Sequence, residues 1–512
     1  MPNGLHHVTA ITARVQANVD FYAGFLGLRL VKRTAGLADE EQLHLFYGDA
    51  AGSPGSIVSF LVWEAGGRGR TSQGQASEIA FAVPVSSIGD WIARALAAQV
   101  PAEGPSREFG EPVLRLKDPD GLIVKLVGAS MLAATPLPDP IAPTRLRSVT
   151  FLSADVAASV AFMEHFGYRP GPVEDGVRRL VSDTDAIDIR DASGFVPAVP
   201  GAGMIDHVAF RAADAESIRR MRLDLHKTRS PDDSATTVHD RRYFLSLYVR
   251  DPAGLLIEHA TDGPGFDVDE PAETLGTELV IPIDDPARAR DLQVMLPQFA
   301  MPGEERLPAR DLPFIHRFHK PDSPDGTVIF LLHGTGGTEV DLMPLAHRIA
   351  PHATLLGIRG RATEEGFNRW FRRYDAVTFD QKDIRAEAQA FAAFVEGAIQ
   401  GYGLDPRKIL FLGYSNGANL LAAVMLLHPQ TVRRAVLLRA ISVLEQPPAA
   451  ALAGTQALLV TGAEDPLAPL AGPLEDSLTA NGAQIEARTI KAGHALTDAD
   501  LAAVREWLTR AT

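Results

Sequence analysis

Two stretches decide how the first part of this chain folds, Gly4-Leu-His-His-Val-Thr-Ala-Ile11 and Met204-Ile-Asp-His-Val-Ala-Phe-Arg211. Two weaker copies of the same pattern lie between them, Ser77-Glu-Ile-Ala-Phe-Ala-Val83 and Leu146-Arg-Ser-Val-Thr-Phe-Leu152. Self-similarity of this kind is the signature of repeated structural units, here spaced by roughly 60 to 70 residues. The sequence therefore predicts four modules. Their equivalent residues are Val8, Ile79, Val149 and Val208.

The first and last copies carry histidines in the same register, His7 and His207. A closing turn also repeats, since Asp118-Pro-Asp-Gly-Leu-Ile-Val-Lys125 matches Asp251-Pro-Ala-Gly-Leu-Leu-Ile-Glu258. Glu258 thus ends a strand in the module that contains His207. Two histidines and one carboxylate form the triad that holds non-haem Fe(II) with open coordination positions, and Mn(II) also suits this ligand set.

Modules two and three provide an internal control. They carry Glu78, Ser148 and Lys125 at the triad positions, so they cannot rebuild the triad. Modules one and four are therefore predicted to pack together around one metal ion. The alternative is that both histidines are ordinary half-buried strand residues, which is the better interpretation of either one alone.

The order of elements in each module predicts an α+β fold. Each module shows one strand, one helix and then short strands separated by Gly or Pro turns. Three strands without a return helix argue against a doubly wound sheet, and paired curved sheets fit better. The first module is predicted to contain strands at 5–11, 28–32, 42–47 and 56–63 and a helix at 19–26.

The texture changes between Thr261 and Pro313, where eight prolines fall in 53 residues. This density predicts an extended tail and a linker. Beyond it, apolar strand-like runs alternate with helices, as in a buried parallel sheet. The predicted domains are modules one and two (1–135), modules three and four with the tail (136–300), a linker (301–313) and an α/β domain (314–512).

The second part contains Gly413-Tyr-Ser-Asn-Gly417 between a predicted strand and a predicted helix. This G-x-S-x-G pattern in a strand-turn-helix setting predicts a nucleophile elbow at Ser415. Asp465 follows a later strand and His494 follows the last one, which is the chain order of a hydrolase triad. Glu464 competes with Asp465 for the acid role, and Asp465 is preferred because it precedes a proline.

An oxyanion needs two backbone N–H donors. Asn416 directly follows the nucleophile and supplies one donor. Thr335, in the segment His333-Gly-Thr-Gly-Gly337 at the end of an early strand, is predicted to supply the other. The alternative, that the Ser415 segment is only a tight turn, is disfavoured because all four parts occur in the required order. The short domain leaves little room for a lid, which predicts an open pocket.

Composition excludes several classes of partner. The formal net charge is −15, without a basic cluster, which argues against nucleic acid and anionic membranes. No apolar run reaches the roughly 18 residues of a membrane span. The N-terminal residues lack the features of a signal peptide, and the 512 residues contain no cysteine. We therefore expect a cytoplasmic protein, and the sequence leaves a homo-oligomer open.

The first 300 or so residues resemble the vicinal-oxygen-chelate superfamily, specifically its ring-cleaving hydroquinone 1,2-dioxygenases. This resemblance implies that His7, His207 and Glu258 bind Fe(II) and that His6, Arg241 and Tyr248 assist or contact the substrate. Asp206 departs from the pattern, since relatives carry histidine before the second ligand. The matching segments are Leu5-His-His-Val-Thr9, His44-Leu-Phe-Tyr-Gly-Asp49, Gly52-Ser-Pro-Gly55, Asp240-Arg-Arg-Tyr-Phe244, Ser246-Leu-Tyr-Val-Arg250, Ala260-Thr-Asp-Gly-Pro-Gly-Phe266 and Asp269-Glu270.

The chain from about residue 314 is similar to small carboxylesterase/phospholipase-like α/β-hydrolases. The matching segments are His333–Gly337, Arg369-Trp-Phe-Arg-Arg373, Gly413–Gly417 and Gly493-His494.

Together the two resemblances imply a bifunctional enzyme of aromatic breakdown or quinone detoxification. Its expected substrates are a small aromatic compound with O2 and a small ester or acyl compound. Two other functions stay open for the first part. One is a glyoxalase-like isomerase, which usually uses four protein ligands. The other is a binding module that sequesters an aromatic toxin.

Overall fold

The computed structural model describes residues 3–130, 135–228, 236–308 and 310–510. Within these ranges the chain divides into two compact units. The first contains the chain up to Asp284 with Phe299–Glu305, and the second contains Asp285–Gln298 and the chain from Arg306 onward. The predicted domain ends at residues 1 and 512, and residue 309 of the predicted linker, lie outside the described residues. Across the described ranges, every helix is too short or too polar to span a membrane.

Each module of the first unit runs strand, helix and further strands, which confirms the predicted fold class. Modules one and two comprise β1 (Leu5–Thr12), α1 (Val15–Val19) with a π-helical continuation (Asp20–Phe25), β2 (Arg29–Ala35), β3 (Leu43–Gly48), β4 (Ile57–Val62), β5 (Gln75–Val83), α2 (Ile88–Ala97), β6 (Ala102–Glu108), β7 (Glu111–Lys117) and β8 (Ile123–Gly128). Modules three and four comprise β9 (Arg145–Ser153), α3 (Val156–Met163), β10 (Arg169–Glu174), β11 (Val177–Val181), β12 (Ala186–Asp191), β13 (Ile205–Ala212), α4 (Ala215–Thr228), β14 (His239–Asp240), β15 (Phe244–Arg250) and β16 (Leu256–Pro264).

The modules pair as the repeat predicts. One sheet has the order β14-β15-β16-β13-β1-β4-β3-β2 and ends with β17 (Leu279–Val280), so it joins modules one and four. A second sheet, β10-β11-β12-β9-β5-β8-β7-β6, joins modules two and three. At the two centres, Val8 lies opposite Val208 and Ile79 opposite Val149, in antiparallel pairs. These equivalent β-branched residues are fully buried, so the hydrophobic pattern sets the register.

The predicted extended tail is wrong at one place, because α5 (Pro286–Met295) is a helix. The Asp285 side chain accepts a hydrogen bond from the Ala287 N–H at 2.8 Å, and Pro286 occupies the first turn, where a missing N–H costs nothing. Val294 of this helix joins the core of the second unit. The helix therefore lies in the second unit, whereas the predicted boundary at residue 300 assigns it to the first.

The second unit alternates strands and helices around a seven-stranded sheet of order β18-β20-β19-β23-β24-β25-β26. All its neighbours are parallel except β18 and β20. The sequence did not predict the strands β18, β21 and β22. The elements are β18 (His316–His319), β19 (Val328–Leu332), α6 (Met343–Ile349), β20 (Thr354–Ile358), β21 (Ala362–Glu364), β22 (Phe367–Arg369), α7 (Gln381–Tyr402), β23 (Ile409–Tyr414), α8 (Asn416–Leu427), β24 (Arg434–Leu438), β25 (Gln456–Gly462), α9 (Gly472–Ala480), β26 (Gln484–Ile490) and α10 (Asp498–Arg510).

Candidate active sites

Three neighbouring strands bring the predicted metal ligands together. His7 on β1 lies opposite Ala209 on β13, and Ala209 lies beside Glu258 on β16. The His7 and His207 Nε2 atoms are 3.3 Å apart, and Glu258 Oε2 lies 3.3 Å from the first and 2.9 Å from the second. All three residues are buried. His207 lies two residues before Ala209 on the same face of β13, so the three side chains form a compact N,N,O cluster.

His6 fixes the tautomer of His7. Burial, and next the neighbouring His7, lower the pKa of His6 to about 3, so its ring is neutral. Its Nε2 donates to the carbonyl of Thr261 at 3.1 Å, because a carbonyl only accepts. His6 Nδ1 must then accept the hydrogen bond from His7 Nδ1 at 2.8 Å. His7 Nε2 is left with a lone pair that faces Glu258.

Asp206 does the same for His207, with its Oδ2 2.7 Å from His207 Nδ1. The Ser246 hydroxyl also donates to Glu258 Oε1. Such outer contacts orient metal ligands and tune their basicity. Sequence reasoning noted Asp206 only as a departure from a family pattern and missed Ser246. Ser246 lies two residues before Tyr248 on β15, on the same face, which is a signal that could have found it.

The cluster fits a cation. Glu258 Oε2 is buried and, among the described residues, accepts no hydrogen bond, although two imidazoles face it. Burial raises the pKa of Glu258, but attraction to His7 and His207 outweighs this and holds the pKa well below its usual range. Burial lowers the pKa of His207, but the adjacent carboxylates of Asp206 and Glu258 raise it to about 9. A positive charge is thus favoured between these atoms, and a metal ion supplies it when it displaces the proton.

Tyr248 lies beside this cluster and Arg241 lies beside Tyr248, while their assisting roles stay a prediction. Tyr248 lies directly opposite Glu258 in the β15–β16 pair, and its ring meets the His207 ring edge-on at 5.6 Å. Burial, and then the charge of Glu258, raise the pKa of Tyr248, so its hydroxyl stays protonated. The Arg241 guanidinium lies 5.3 Å from the centre of the Tyr248 ring. His6 differs from both, since its two ring nitrogens are already engaged.

The predicted nucleophile sits on a strained turn. Ser415 has φ 50° and ψ −117°, between β23 and α8. A Cβ on Gly417 would lie 2.3 Å from the Leu332 carbonyl oxygen, and one on Gly413 would lie 2.7 Å from the Ala418 backbone nitrogen. The glycines therefore allow the close packing that holds Ser415 at the tip of a nucleophile elbow.

Ser415, His494 and Asp465 form one hydrogen-bonded chain. The Ser415 Oγ lies 2.9 Å from His494 Nε2, and His494 Nδ1 lies 2.8 Å from Asp465 Oδ2. Glu464, the competing candidate for the acid role, is exposed. The hydrogen bond to His494 comes from Asp465 instead. The geometry is that of a serine hydrolase triad, with the acid orienting the imidazole that accepts the serine proton.

Arg369, at the end of β22, and the next residue, Trp370, make hydrogen bonds around the two predicted oxyanion donors. The Trp370 N–H donates to the Asn416 Oδ1 at 2.8 Å, next to the nucleophile. Arg369 donates from Nη1 to the Thr335 hydroxyl at 3.0 Å. The Trp370 indole N–H donates to the His333 carbonyl at 2.9 Å. One segment therefore positions both backbone donors, a role that sequence reasoning missed.

The three arginines of the segment Arg369–Arg373 lie in different surroundings. Arg369 is buried, whereas Arg372 is exposed. Arg373 pairs with Glu364 at 3.0 Å, and Arg369 lies 3.4 Å from the same carboxylate. Arg369 is therefore a buried residue that contacts Thr335, one of the two predicted oxyanion donors.

Comparison with known proteins matches both parts of the chain. The family model described as Glyoxalase/Bleomycin resistance protein/Dioxygenase superfamily matches residues 4–126, and that described as Phospholipase/Carboxylesterase matches residues 315–511. The Bacillus subtilis protein named "Putative ring-cleaving dioxygenase MhqO" is 32% identical over 312 residues, 57% of this chain and 96% of that protein. "Putative hydrolase MhqD" of the same organism is 32% identical over 182 residues, 35% of this chain and 91% of that protein. The chain belongs to both families.

A third relative is the chlorohydroquinone/hydroquinone 1,2-dioxygenase of Sphingobium indicum, 28% identical over 294 residues, 54% of this chain and 91% of that protein. The predicted fusion of a vicinal-oxygen-chelate dioxygenase with a carboxylesterase-like hydrolase is confirmed. The chain is an enzyme with a ring-cleaving dioxygenase part and a hydrolase part. The dioxygenase family is metal-dependent, and the His/His/Glu cluster is the group of described residues that fits an ion.

Proposed function

We propose that the first part is an Fe(II)-dependent, extradiol-type dioxygenase that opens a hydroquinone ring between a hydroxylated carbon and its neighbour. We propose in addition that the second part is a serine carboxylesterase, and that both act in aromatic degradation or quinone detoxification in the cytoplasm. The substrates are a small hydroquinone with O2, and a small ester. The domain limits at residues 135 and 313 and the choice of iron over manganese belong to this proposal.

The observation that carries the dioxygenase proposal is the buried Glu258 Oε2 facing two imidazole Nε2 atoms. With His7 and His207 it makes three ligands, and an ion bound by three has room for further ligands. When bound, the metal supplies adjacent open positions and electronic coupling for a ring hydroxyl and O2.

The residues around the cluster support ring chemistry at those positions. Tyr248 keeps its proton and lies next to His207, so it can donate a hydrogen bond to an oxygen of the substrate. Phe244 lies 5.2 Å from the His7 ring and Phe46 lies in the same buried cluster, which gives an aromatic substrate apolar contacts. The name of the Sphingobium relative supports hydroquinone as the substrate class.

A glyoxalase-like isomerase is less well supported because, in the part of the chain that the structure describes, the cluster contains three protein ligands rather than four. Thr9 lies beside Ser59 in the pair of β1 and β4, just as Ala209 lies beside Glu258 in the pair of β13 and β16. By this register, Ser59 occupies the position of a second carboxylate. Its hydroxyl is 2.8 Å from Thr9 Oγ1 and is engaged within the protein.

The hydrolase proposal rests on the triad distances and on the contacts that Arg369 and Trp370 make with Thr335 and Asn416. His494 Nε2 accepts the proton as Ser415 Oγ attacks the ester carbonyl, and Asp465 stabilises the imidazolium. The N–H groups of Thr335 and Asn416 then stabilise the oxyanion. His494 returns its proton to the leaving alcohol, and water releases the acyl group from Ser415.

The dioxygenase proposal is tested by loading the full chain with Fe(II) without oxygen, then measuring O2 uptake with hydroquinones and catechols. Wild type should bind about one iron and consume O2 with a hydroquinone. His207→Ala should lose iron binding and O2 uptake, since a ligand is removed. Ser148→Ala is the matched control, because Ser148 takes the same repeat position in the other sheet. Full iron occupancy in His207→Ala would contradict the metal assignment, and higher uptake with Mn(II) would contradict iron.

The hydrolase proposal is tested with p-nitrophenyl acetate. Ser415→Ala should lower kcat roughly 10⁶-fold, as the loss of a triad nucleophile does. Each variant controls for the other: Ser415→Ala should keep O2 uptake, and His207→Ala should keep ester hydrolysis. Unchanged turnover by purified Ser415→Ala would exclude this serine as the nucleophile.

A further inference from the structure

The sheet of modules one and four has two halves with the same pattern of strand pairs. In this pattern His44 is the counterpart of Ser246, the residue that donates a hydrogen bond to Glu258. In the β3–β4 pair, Phe46 lies opposite Ser59 and His44 opposite Leu61. In the β15–β16 pair, Tyr248 lies opposite Glu258 and Ser246 opposite Ala260. Since Ser59 corresponds to Glu258, the counterparts of Tyr248 and Ser246 are Phe46 and His44.

The two halves make parallel contacts of different chemistry. Ser246 donates to the Glu258 carboxylate, and His44 Nε2 lies 3.0 Å from the Ser59 hydroxyl. The Ser59 hydroxyl continues to Thr9 Oγ1 at 2.8 Å. One half therefore holds a charged metal ligand, and the other holds a neutral chain of hydrogen-bonding groups on the same face of the sheet.

His44 is built to present a nitrogen to a ligand. Its ring packs on Phe46, with the ring centres 4.0 Å apart, and the residue is half-buried. Nε2 is held by Ser59, and within the described ranges Nδ1 has no protein partner. Burial, and next the neighbouring His207 and His7, lower the pKa of His44 to about 3, so the ring is neutral and suits a neutral hydroxyl better than a carboxylate.

Position agrees with such a role. β4 lies between β3 and β1, so His44 is two strand spacings, roughly 10 Å, from the strand of His7. Both side chains rise from the same face. An aromatic ring with one hydroxyl at the metal cluster can reach this histidine with a group on its far side.

We propose that His44, held by Ser59 and Thr9, is a substrate-binding residue that forms a hydrogen bond with the second hydroxyl of a dihydroxylated ring. This inference rests on the proposed dioxygenase function and names the recognition of its substrate. It explains how the site selects a hydroquinone over a ring with a single hydroxyl. A hydroxyl both donates and accepts, so it can pair with Nδ1 in either tautomer of His44.

The test measures binding, with the full chain loaded with redox-inactive Zn(II). Calorimetry compares hydroquinone with phenol, which lacks the second hydroxyl. His44→Leu should raise the Kd of hydroquinone about 3- to 10-fold, the effect of one neutral hydrogen bond, and leave the Kd of phenol unchanged. His44→Asn, which keeps a hydrogen-bonding atom near the place of Nδ1, should recover part of the loss. His165→Leu, at an exposed histidine, is the control.

Metal content, measured by atomic absorption, should be equal in all variants. Equal weakening of phenol and hydroquinone, or no weakening of either, would overturn the role of His44 while the proposed function stands. A wild-type protein that binds neither ligand would overturn the proposed function and this inference with it.

Discussion

The two sheets of the first unit share one repeat but balance their buried carboxylates differently. In the sheet of modules one and four, Glu258 faces two histidines, and these three residues would hold the proposed metal ion. In the sheet of modules two and three, Lys125 stands at the equivalent position, with its Nζ 3.0 Å from Glu78 and 3.1 Å from Glu108. The same repeat can therefore serve two purposes. A metal ion at Glu258 would be exchangeable and would serve function, whereas the Lys125 ammonium group is part of the chain and serves structure.

The largest effect is expected at Lys125, the buried cation of the sheet of modules two and three. Lys125→Met should destabilise its sheet by about 3 kcal/mol, because breaking a buried pair leaves carboxylates uncompensated. This value is at the low end for such pairs, since the Glu78 and Glu108 side chains are 15% and 21% exposed and water relieves part of the cost. Hydrogen exchange of β5 and β8, followed by mass spectrometry, measures the effect on this sheet alone.

Lys117→Met is the matched control on a neighbouring strand. Lys117 pairs with Glu103 at 3.2 Å, but both side chains are at least half exposed, so the expected change is under about 1 kcal/mol. The double variant Lys125→Met/Glu78→Gln should recover part of the stability. Equal exchange rates in Lys125→Met and wild type would show that the sheet does not depend on this charge.

An intermediate effect is expected on the affinity for the proposed metal ion. Asp206→Ala should weaken metal binding by about 10- to 100-fold, the usual cost of losing a group that orients a metal-bound histidine. A competition titration against a metal-sensitive chelator measures this affinity. Asp183→Ala, at an exposed aspartate of the first unit, is the control. An unchanged affinity in Asp206→Ala would mean that the strand alone orients His207.

The smallest effect, about tenfold for each pH unit, is a pH dependence that only the sheet of modules one and four should show. The pKa of His207 lies at about 9 without metal, so a metal ion must displace a proton below that pH. Metal affinity should therefore rise about tenfold per unit between pH 7 and 9, with release of about one proton. Titrations in buffers of different ionisation enthalpy measure that release. A flat profile would contradict a protonated His207.

Stability of the metal-free chain should change in the opposite direction with pH. The folded pKa of His207 is raised above the ordinary value of about 6.5, so its stabilising contribution is full below that pH. The contribution is lost as the pH rises through about 9. Hydrogen exchange of β13 at pH 6 and pH 9, corrected for intrinsic rates, distinguishes this loss from the behaviour of β9 in the other sheet.

The sequence by itself determined the repeat, the fold classes and the residues with chemistry. His7, His207 and Glu258 were found because side chains in strands alternate, so a conserved register between repeats fixes which residues share a face. Ser415, Asp465 and His494 were predicted from the G-x-S-x-G motif and from the order in which the acid and the histidine follow it along the chain. Local and periodic signals of this kind are written in the chain.

Only the tertiary structure decided what these residues touch. The bond from Asp206 to His207, the clamp of Trp370 on Asn416 and the chain from His44 to Thr9 join residues whose pairing depends on side-chain rotamers and strand neighbours. Helix α5 was missed because proline density predicted a linker, whereas burial of Val294 in the second unit stabilises the helix. Long-range packing carries no local period, so these contacts exist only once the chain has folded.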